Sequence, residues 1–185
     1  MPIALAVVFG LCAVAMIGIM VYFSCIDTET DLGSFERIIR FNDIWGTHRG
    51  FMWIRSIWIF GDASFIEKLF GVGPDMFYSA FSPYFDDLSK YGDSSTNAAH
   101  NEYLNYLITI GITGLLSYLA IVCGTIKNAV KYAKENPMLI ACVSAVICYA
   151  VQSVVNLYQP ITTPLFFIFI ALCEAFVRNA KAEKS

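Results

Sequence analysis

Two arginines and one histidine have the residue types that could act on an anionic substrate. Arg49 and Arg55 lie in an aromatic, largely apolar stretch, and His100 follows a polar segment. Arginine binds phosphate through paired donors and stays charged in a partly apolar site. A neutral histidine accepts a proton near pH 7. Together these residue types are suited to binding an anionic ligand and accepting a proton.

The segment 47–60 contains both arginines and predicts a helix that is apolar on nearly every side. At 100° per residue, Arg49 shares a stripe with Trp53, and Arg55 lies on another stripe about a quarter turn away. One interpretation is an interfacial helix whose Trp and Arg side chains lie among lipid headgroups. The other is a membrane-proximal helix that presents two guanidiniums to an anionic ligand.

His100 lies where the polar segment 91–97 leads into an apolar run. The capping residues of that segment predict that His100 is in the first turn of a helix, at the outer membrane surface. The helix dipole there disfavours the imidazolium and favours a neutral ring, although nearby Glu102 opposes this effect. The alternative interpretation is a structural histidine at an interface.

Two glycines and a proline lie between these elements, in the segment 69–77. A Gly-x-Gly pair without a strand before it and a helix after it does not predict a nucleotide site. The favoured interpretation is a tight turn that folds the chain back onto the membrane.

The composition places these elements in a membrane protein. The chain has 185 residues, of which 57% are hydrophobic and only 15% charged. A soluble domain carries about 25% charged residues, so that class is excluded. The 12 Lys and Arg residues are outnumbered by 15 Asp and Glu residues, which excludes a nucleic-acid binder.

Three uncharged runs are long enough to cross about 30 Å of hydrocarbon, which takes roughly 20 apolar residues. The last run exceeds one span and contains Pro160 and Pro164, so it is predicted to fold into two helices. The sequence therefore predicts transmembrane helices at 1–25, 100–126, 137–157 and 164–177.

The basic residues give the predicted orientation. Lys and Arg concentrate in the loop 127–136 and the tail 178–185, and the positive-inside rule places both in the cytoplasm. Residues 26–99 then form a large, partly helical extracytoplasmic loop, and 158–163 form a short outer turn. The predicted fold class is an all-α integral membrane protein with four transmembrane helices. The six cysteines match no zinc or redox spacing and are interpreted as packing residues, so no metal site is expected.

Three motifs around the large loop resemble the O-antigen ligase and O-antigen polymerase superfamily of bacterial membrane glycosyltransferases. They are RGFMW at 49–53, LFGVGPDMF at 69–77, and HNEYL at 100–104 followed by GITGL at 111–115. Their order and their placement around one outer loop also agree with that family. The resemblance covers about residues 35–175.

The resemblance implies a metal-independent, GT-C-like transferase that needs no cofactor and acts at the outer face of the bacterial cytoplasmic membrane. Its donor would be an undecaprenyl-diphosphate-linked oligosaccharide, and its partners would be a glycan acceptor and membrane lipid, without nucleic acid. In this family, loop arginines bind the diphosphate and the motif histidine is the proposed base. By position, Arg49 matches the first loop arginine and His100 the histidine. Arg55 is proposed as a second diphosphate ligand on physical grounds alone.

Three further polar residues are candidates for orienting a sugar hydroxyl or the histidine: Asp75, Asn101 and Glu102. A role at a loop or helix end is the simpler interpretation of the two acids. Members of the family usually have more than four transmembrane helices, so we expect this chain to be the C-terminal half of such a protein. A non-catalytic scaffold or truncated paralogue stays open as an alternative. A transporter is disfavoured because no charged residue lies near the centre of a predicted span.

Overall fold

The computed structural model of the protein describes residues 2–182, with side chains from residue 10 onward. Over these residues the chain is helical and contains no strand, so the all-α prediction is confirmed. Met1 and the last part of the predicted tail, residues 183–185, lie outside the described residues. The helices are α1 (Pro2–Cys25), α2 (Glu36–Ile39), α3 (Trp45–Asp62), α4 (Phe65–Phe70), α5 (Phe77–Phe81), α6 (Phe85–Ser89), α7 (Glu102–Thr109), α8 (Gly111–Tyr132), α9 (Met138–Gln152) and α10 (Thr162–Ala182).

The chain divides into two compact units, Met1–Arg55 and Ser56–Ser185. In the first unit, Arg40 ties the end of α1 to the loop that follows it. Its Nε donates to the Phe23 carbonyl at 3.0 Å, and its guanidinium forms an ion pair with Glu36 at 2.8 Å. The last carbonyls of a helix lack partners within the helix, so this side chain caps α1.

The start of α3 differs from the predicted helix 47–60. Gly46, Thr47 and His48 have left-handed backbone angles, and the regular helix begins at Arg49. A Cβ at Gly50 would lie 1.9 Å from the Asn42 carbonyl oxygen, so only glycine permits the preceding loop to approach the first turn this closely. The loop and not the helix therefore determines where α3 becomes regular.

Within the second unit, α8, α9 and α10 pack side by side and enclose two apolar clusters. The cluster near the end of α8 contains Ala129, Leu139, Cys142, Val143, Cys173 and Val177. The cluster nearer the start of α8 contains Tyr118, Val122, Val146 and Phe166. Two of the six cysteines are buried in the first cluster, which agrees with their interpretation as packing residues.

The segment 100–126, predicted as one helix, is divided between α7 and α8. The break lies at Gly111, whose φ of +70° is not helical. A Cβ there would lie 2.4 Å from the Leu69 carbonyl oxygen, so only glycine permits this close approach. That carbonyl also accepts a hydrogen bond from the Thr113 hydroxyl at 2.7 Å. The turn predicted at 69–77 lies against the end of α7, where the Val72 amide donates to the Ile108 carbonyl at 2.9 Å.

Among the described residues, one helix has both the length and the hydropathy to cross a bilayer. This helix is α8, whose 22 residues span about 33 Å at 1.5 Å per residue. The stretch Gly10–Cys25 of α1 and the whole of α9 are apolar but shorter. The four-span topology stays a prediction. The helix ends differ from the predicted ones. Helix α8 extends beyond the predicted end at 126, α9 ends at Gln152 and not at 157, and α10 begins at Thr162 and not at 164.

Candidate functional site

His100 lies just before α7. The sequence had predicted it in the first turn of that helix, and this prediction is wrong. The N-cap of α7 is Asn101, whose side-chain oxygen accepts from the Leu104 amide at 3.0 Å. His100 precedes this cap, is half-buried, and has a φ of +51°. Non-glycine residues rarely adopt this left-handed conformation, although histidine does so more readily than most. The side chain that caps α7 therefore belongs to Asn101. His100 occupies a constrained backbone position just before the helix.

Glu102 is a buried carboxylate that joins the start of α7 to the end of α9. It is only 1% exposed. One carboxylate oxygen accepts from the Tyr106 hydroxyl and the other from the Ser153 hydroxyl, both at 2.8 Å. Its backbone amide donates to the Ser153 carbonyl at 2.9 Å. Three hydrogen bonds thus hold the residue two positions after His100.

The donors around Glu102 are hydroxyl groups. Within residues 10–182, no Lys or Arg forms an ion pair with this carboxylate. Nearby, the Tyr103 hydroxyl donates to the Ala150 carbonyl at 2.7 Å, which adds a second link between α7 and α9. A buried charge is tolerated only when its hydrogen bonds are satisfied. Glu102 therefore lies in a polar cluster that is built from two helices distant in sequence.

Removing the Glu102 carboxylate should destabilise the fold, which gives a first prediction. In Glu102→Ala the two hydroxyl donors lose their acceptor, at a cost of about 1–3 kcal/mol for each one that stays buried. We expect a clear loss of stability during unfolding in mixed detergent micelles, followed by circular dichroism. Glu102→Gln, which keeps an acceptor oxygen, should be destabilised less.

The matched control is Glu174→Ala on α10. Glu174 is a partly exposed acid that pairs with Arg178 at 2.7 Å. Such surface pairs contribute less than about 1 kcal/mol, so this variant should unfold close to the wild type. Equal losses in the two alanine variants would contradict a structural role for the buried hydrogen bonds of Glu102.

Asp75 holds the turn at 69–77 against the chain that follows α9. It is exposed, and its φ of +59° is left-handed. The Tyr158 hydroxyl donates to its carboxylate at 3.3 Å. Burial, and after it the negative charge of Asp75, raises the pKa of Tyr158. Asp75 thus accepts a hydrogen bond from a tyrosine, and both residues belong to the second unit.

Arg55 is held in an ion pair that the sequence did not predict. Both terminal nitrogens of its guanidinium donate to the two carboxylate oxygens of Asp43. Its charge also lies 4.0 Å from the centroid of the Phe51 ring. The Arg55 side chain is only 14% exposed. A bidentate pair of this kind fixes the arginine geometrically and neutralises much of its charge.

Arg49 has a different environment, one helical turn and a half before Arg55. It is half-buried and is the first residue of the regular part of α3. In the part of the chain that the structure describes, its guanidinium has no ion pair and no hydrogen-bond acceptor. The tryptophan of the same motif, Trp53, packs at 5.1 Å from Trp45 between ring centroids. Of the two arginines, Arg49 therefore has its donors available to a ligand.

Comparison with known proteins identifies the family of this site. A family model described as O-antigen ligase matches residues 2–119. The chain belongs to the O-antigen ligase family. No curated protein and no solved structure matches the chain. The match begins at residue 2, before the resemblance of the motifs begins at about 35, and it ends at 119, before that resemblance ends at about 175. It includes every candidate site residue.

Membership of the O-antigen ligase family supports a bacterial membrane protein of polysaccharide biosynthesis with a glycosyltransferase-like role. The family match ends within α8, so the hydroxyl donor Ser153 on the far side of Glu102 lies outside it. Among the described residues, no group of three or more His, Cys, Asp or Glu side chains could hold a metal ion.

The sequence did not predict four side-chain partners of the candidate site residues: Tyr106, Ser153, Asp43 and Tyr158. Tyr106 lies four positions after Glu102 on the same helix, so helical spacing could have revealed it. Ser153 is 51 positions away, and Asp43 lies in a loop 12 positions before Arg55. No periodicity in the sequence brings those two residues to their partners.

Proposed function

We propose that this O-antigen ligase family member transfers or polymerises glycan carried on undecaprenyl diphosphate at the outer face of the bacterial cytoplasmic membrane. The observation that carries the proposal is the family match across 2–119, which spans the motif arginine Arg49 and the motif histidine His100. The donor is the undecaprenyl-diphosphate-linked oligosaccharide, and the acceptor is a hydroxyl of a second glycan or surface molecule. The reaction requires no metal ion.

The proposed chemistry is displacement at the anomeric carbon of the donor sugar. His100 accepts the proton of the acceptor hydroxyl while that oxygen forms a bond to the anomeric carbon. The bond from this carbon to the diphosphate oxygen breaks, and the electron pair leaves with the undecaprenyl diphosphate. Arg49 donates hydrogen bonds to the departing diphosphate and stabilises the charge that develops on it.

Glu102 and Asn101 are proposed as positioning residues for His100. Asn101 caps α7, and Glu102 fixes the same turn to α9 through Ser153. Because the imidazole must meet the acceptor hydroxyl within hydrogen-bond distance, a small movement of this segment would lower the rate. Asp75 is proposed to hold the turn at 69–77 in position through the hydrogen bond that it accepts from Tyr158.

Arg49 and Arg55 should respond differently to the same substitution, which gives a second prediction. Arg49→Gln should lower transfer by about 10²-fold, as expected for loss of one donor to a developing negative charge, and leave stability unchanged. Arg55→Gln removes the cation from Asp43 and should lower the stability of the fold as well as transfer. The measurements are release of undecaprenyl diphosphate by membranes and unfolding of the purified protein.

Arg49→Lys provides the conservative control for this comparison. Lysine keeps the charge but loses the paired donors, so this variant should recover only part of the activity lost in Arg49→Gln. Full activity of a correctly inserted Arg49→Gln protein would refute the assignment of the diphosphate to Arg49.

A further inference from the structure

Two lysines from different helices place their charges over the same aromatic ring. The Nζ of Lys131, at the end of α8, lies 5.4 Å from the centroid of the Tyr132 ring. The Nζ of Lys181, at the end of α10, lies 5.7 Å from it. The ring packs against the buried cluster near the end of α8. Two like charges therefore lie near the Tyr132 ring at one end of the helix bundle.

Within residues 10–182, the charges nearby leave these two lysines without an acidic ion-pair partner. The other charged residues described at this end of α8 and α10 are Lys127, Lys134, Glu135, Glu174 and Arg178. Glu174 is already bound to Arg178 at 2.7 Å. Among residues 10–182, neither Lys131 nor Lys181 forms an ion pair. Helix dipoles favour lysines near the ends of both helices but do not explain why two of them meet over one ring.

Exposed apolar side chains lie at the same end of the bundle as the lysines. Val130 on α8 is 59% exposed, and Met138 at the start of α9 is 57% exposed. Only five residues separate α8 from α9, so both side chains belong to the same end of the bundle. A free phosphate ion would gain nothing from this apolar surface. A lipid would place its phosphate by the ammonium groups and its acyl chains along the apolar helix faces.

We infer that Lys131, Lys181 and Tyr132 form a binding site for the phosphate headgroup of an anionic phospholipid. In the predicted topology this site faces the inner leaflet, where anionic lipids attract basic residues next to a transmembrane helix. The site is independent of the transfer reaction. It would fix the ends of α8 and α10 at the membrane surface.

The test is lipid binding to the purified full chain by native mass spectrometry, with phosphatidylglycerol and phosphatidylcholine as probes. The double variant Lys131→Gln with Lys181→Gln should bind phosphatidylglycerol at least about tenfold more weakly than the wild type. The matched control, Lys68→Gln with Lys90→Gln, removes the same charge from lysines that donate to Gly61 and Asp87. This control should bind phosphatidylglycerol as the wild type does.

Three results would overturn the inference. The first is unchanged phosphatidylglycerol binding by the Lys131 and Lys181 double variant, and the second is an equal loss in the control. The third is displacement of phosphatidylglycerol by an equal concentration of inorganic phosphate, which would indicate a free-anion site. Phosphatidylcholine binding should be the same in all three proteins. No glycan transfer is involved, so the outcome is separate from that of the proposed transferase function.

Discussion

His100→Asn should lower glycan transfer by about 10²–10⁴-fold and leave membrane insertion intact. This is the range that a positioned general base contributes. Asparagine cannot accept the proton, but it tolerates the left-handed backbone that His100 adopts at φ +51°. The substitution therefore removes the imidazole with little change to the backbone. Released undecaprenyl diphosphate, measured in membranes with equal amounts of each variant, reports the effect.

The second histidine of the chain provides the matched control. His48 also has a left-handed backbone, with a φ of +67°, so His48→Asn is an equivalent change of side chain in an equivalent conformation. We expect His48→Asn to retain most of the wild-type activity. If His100→Asn and His48→Asn were equally active, His100 could not be the base. His100→Ala should be as inactive as His100→Asn, since neither residue accepts a proton.

The largest expected effect on stability comes from Gly111→Ala. A Cβ at this position would lie 2.4 Å from the Leu69 carbonyl oxygen and 2.6 Å from the Gly71 amide nitrogen, both of which are backbone atoms. The backbone at Gly111 is also left-handed, which alanine adopts at a cost of about 1–2 kcal/mol. With the steric overlap included, we expect a loss of about 2–5 kcal/mol.

Gly124→Ala on the same helix is the control for this prediction. Nothing lies within 4 Å of a Cβ at Gly124. Alanine is the better helix former by about 1 kcal/mol, so this variant should be as stable as the wild type or slightly more stable. Unfolding in mixed detergent micelles measures both variants. A Gly111→Ala protein as stable as Gly124→Ala would show that the turn at 69–77 does not pack against the junction of α7 and α8.

The helical fold could be predicted from the sequence because it rests on local pattern. Long uncharged runs and the apolar segment 47–60 predicted helices, and the structure contains helices in these places. The break before Gly111 could not be predicted in this way. A glycine inside an apolar run is compatible with a continuous span, whereas here Gly111 has a positive φ and lies close to the Leu69 carbonyl, 42 positions earlier. Backbone contacts between distant segments leave no periodic signal.

The candidate site shows the same division between local and distant effects. The segment 100–104 was recognised from its residue types, whereas the capping role of Asn101 was not predicted. Several residues of the segment 91–97 are of types that cap helices, and any of them could mark the start of the helix. The predicted start therefore lay before His100, whereas the N-cap is Asn101. The hydrogen bond that Glu102 accepts from Ser153 joins it to the C-cap of α9, 51 positions later, and no local pattern brings these two residues together.

The proposed transferase function is tested most directly in membranes that contain the full reading frame encoding this chain. Undecaprenyl-diphosphate oligosaccharide is supplied in the presence of EDTA, and both the released carrier diphosphate and the length of the glycan product are measured. We expect release of undecaprenyl diphosphate coupled to glycan transfer, and loss of both in His100→Asn. A ladder of product lengths would indicate a polymerase, and a single transfer a ligase. A correctly inserted protein that releases no carrier from any of several such donors would contradict the transferase function and favour a non-catalytic scaffold.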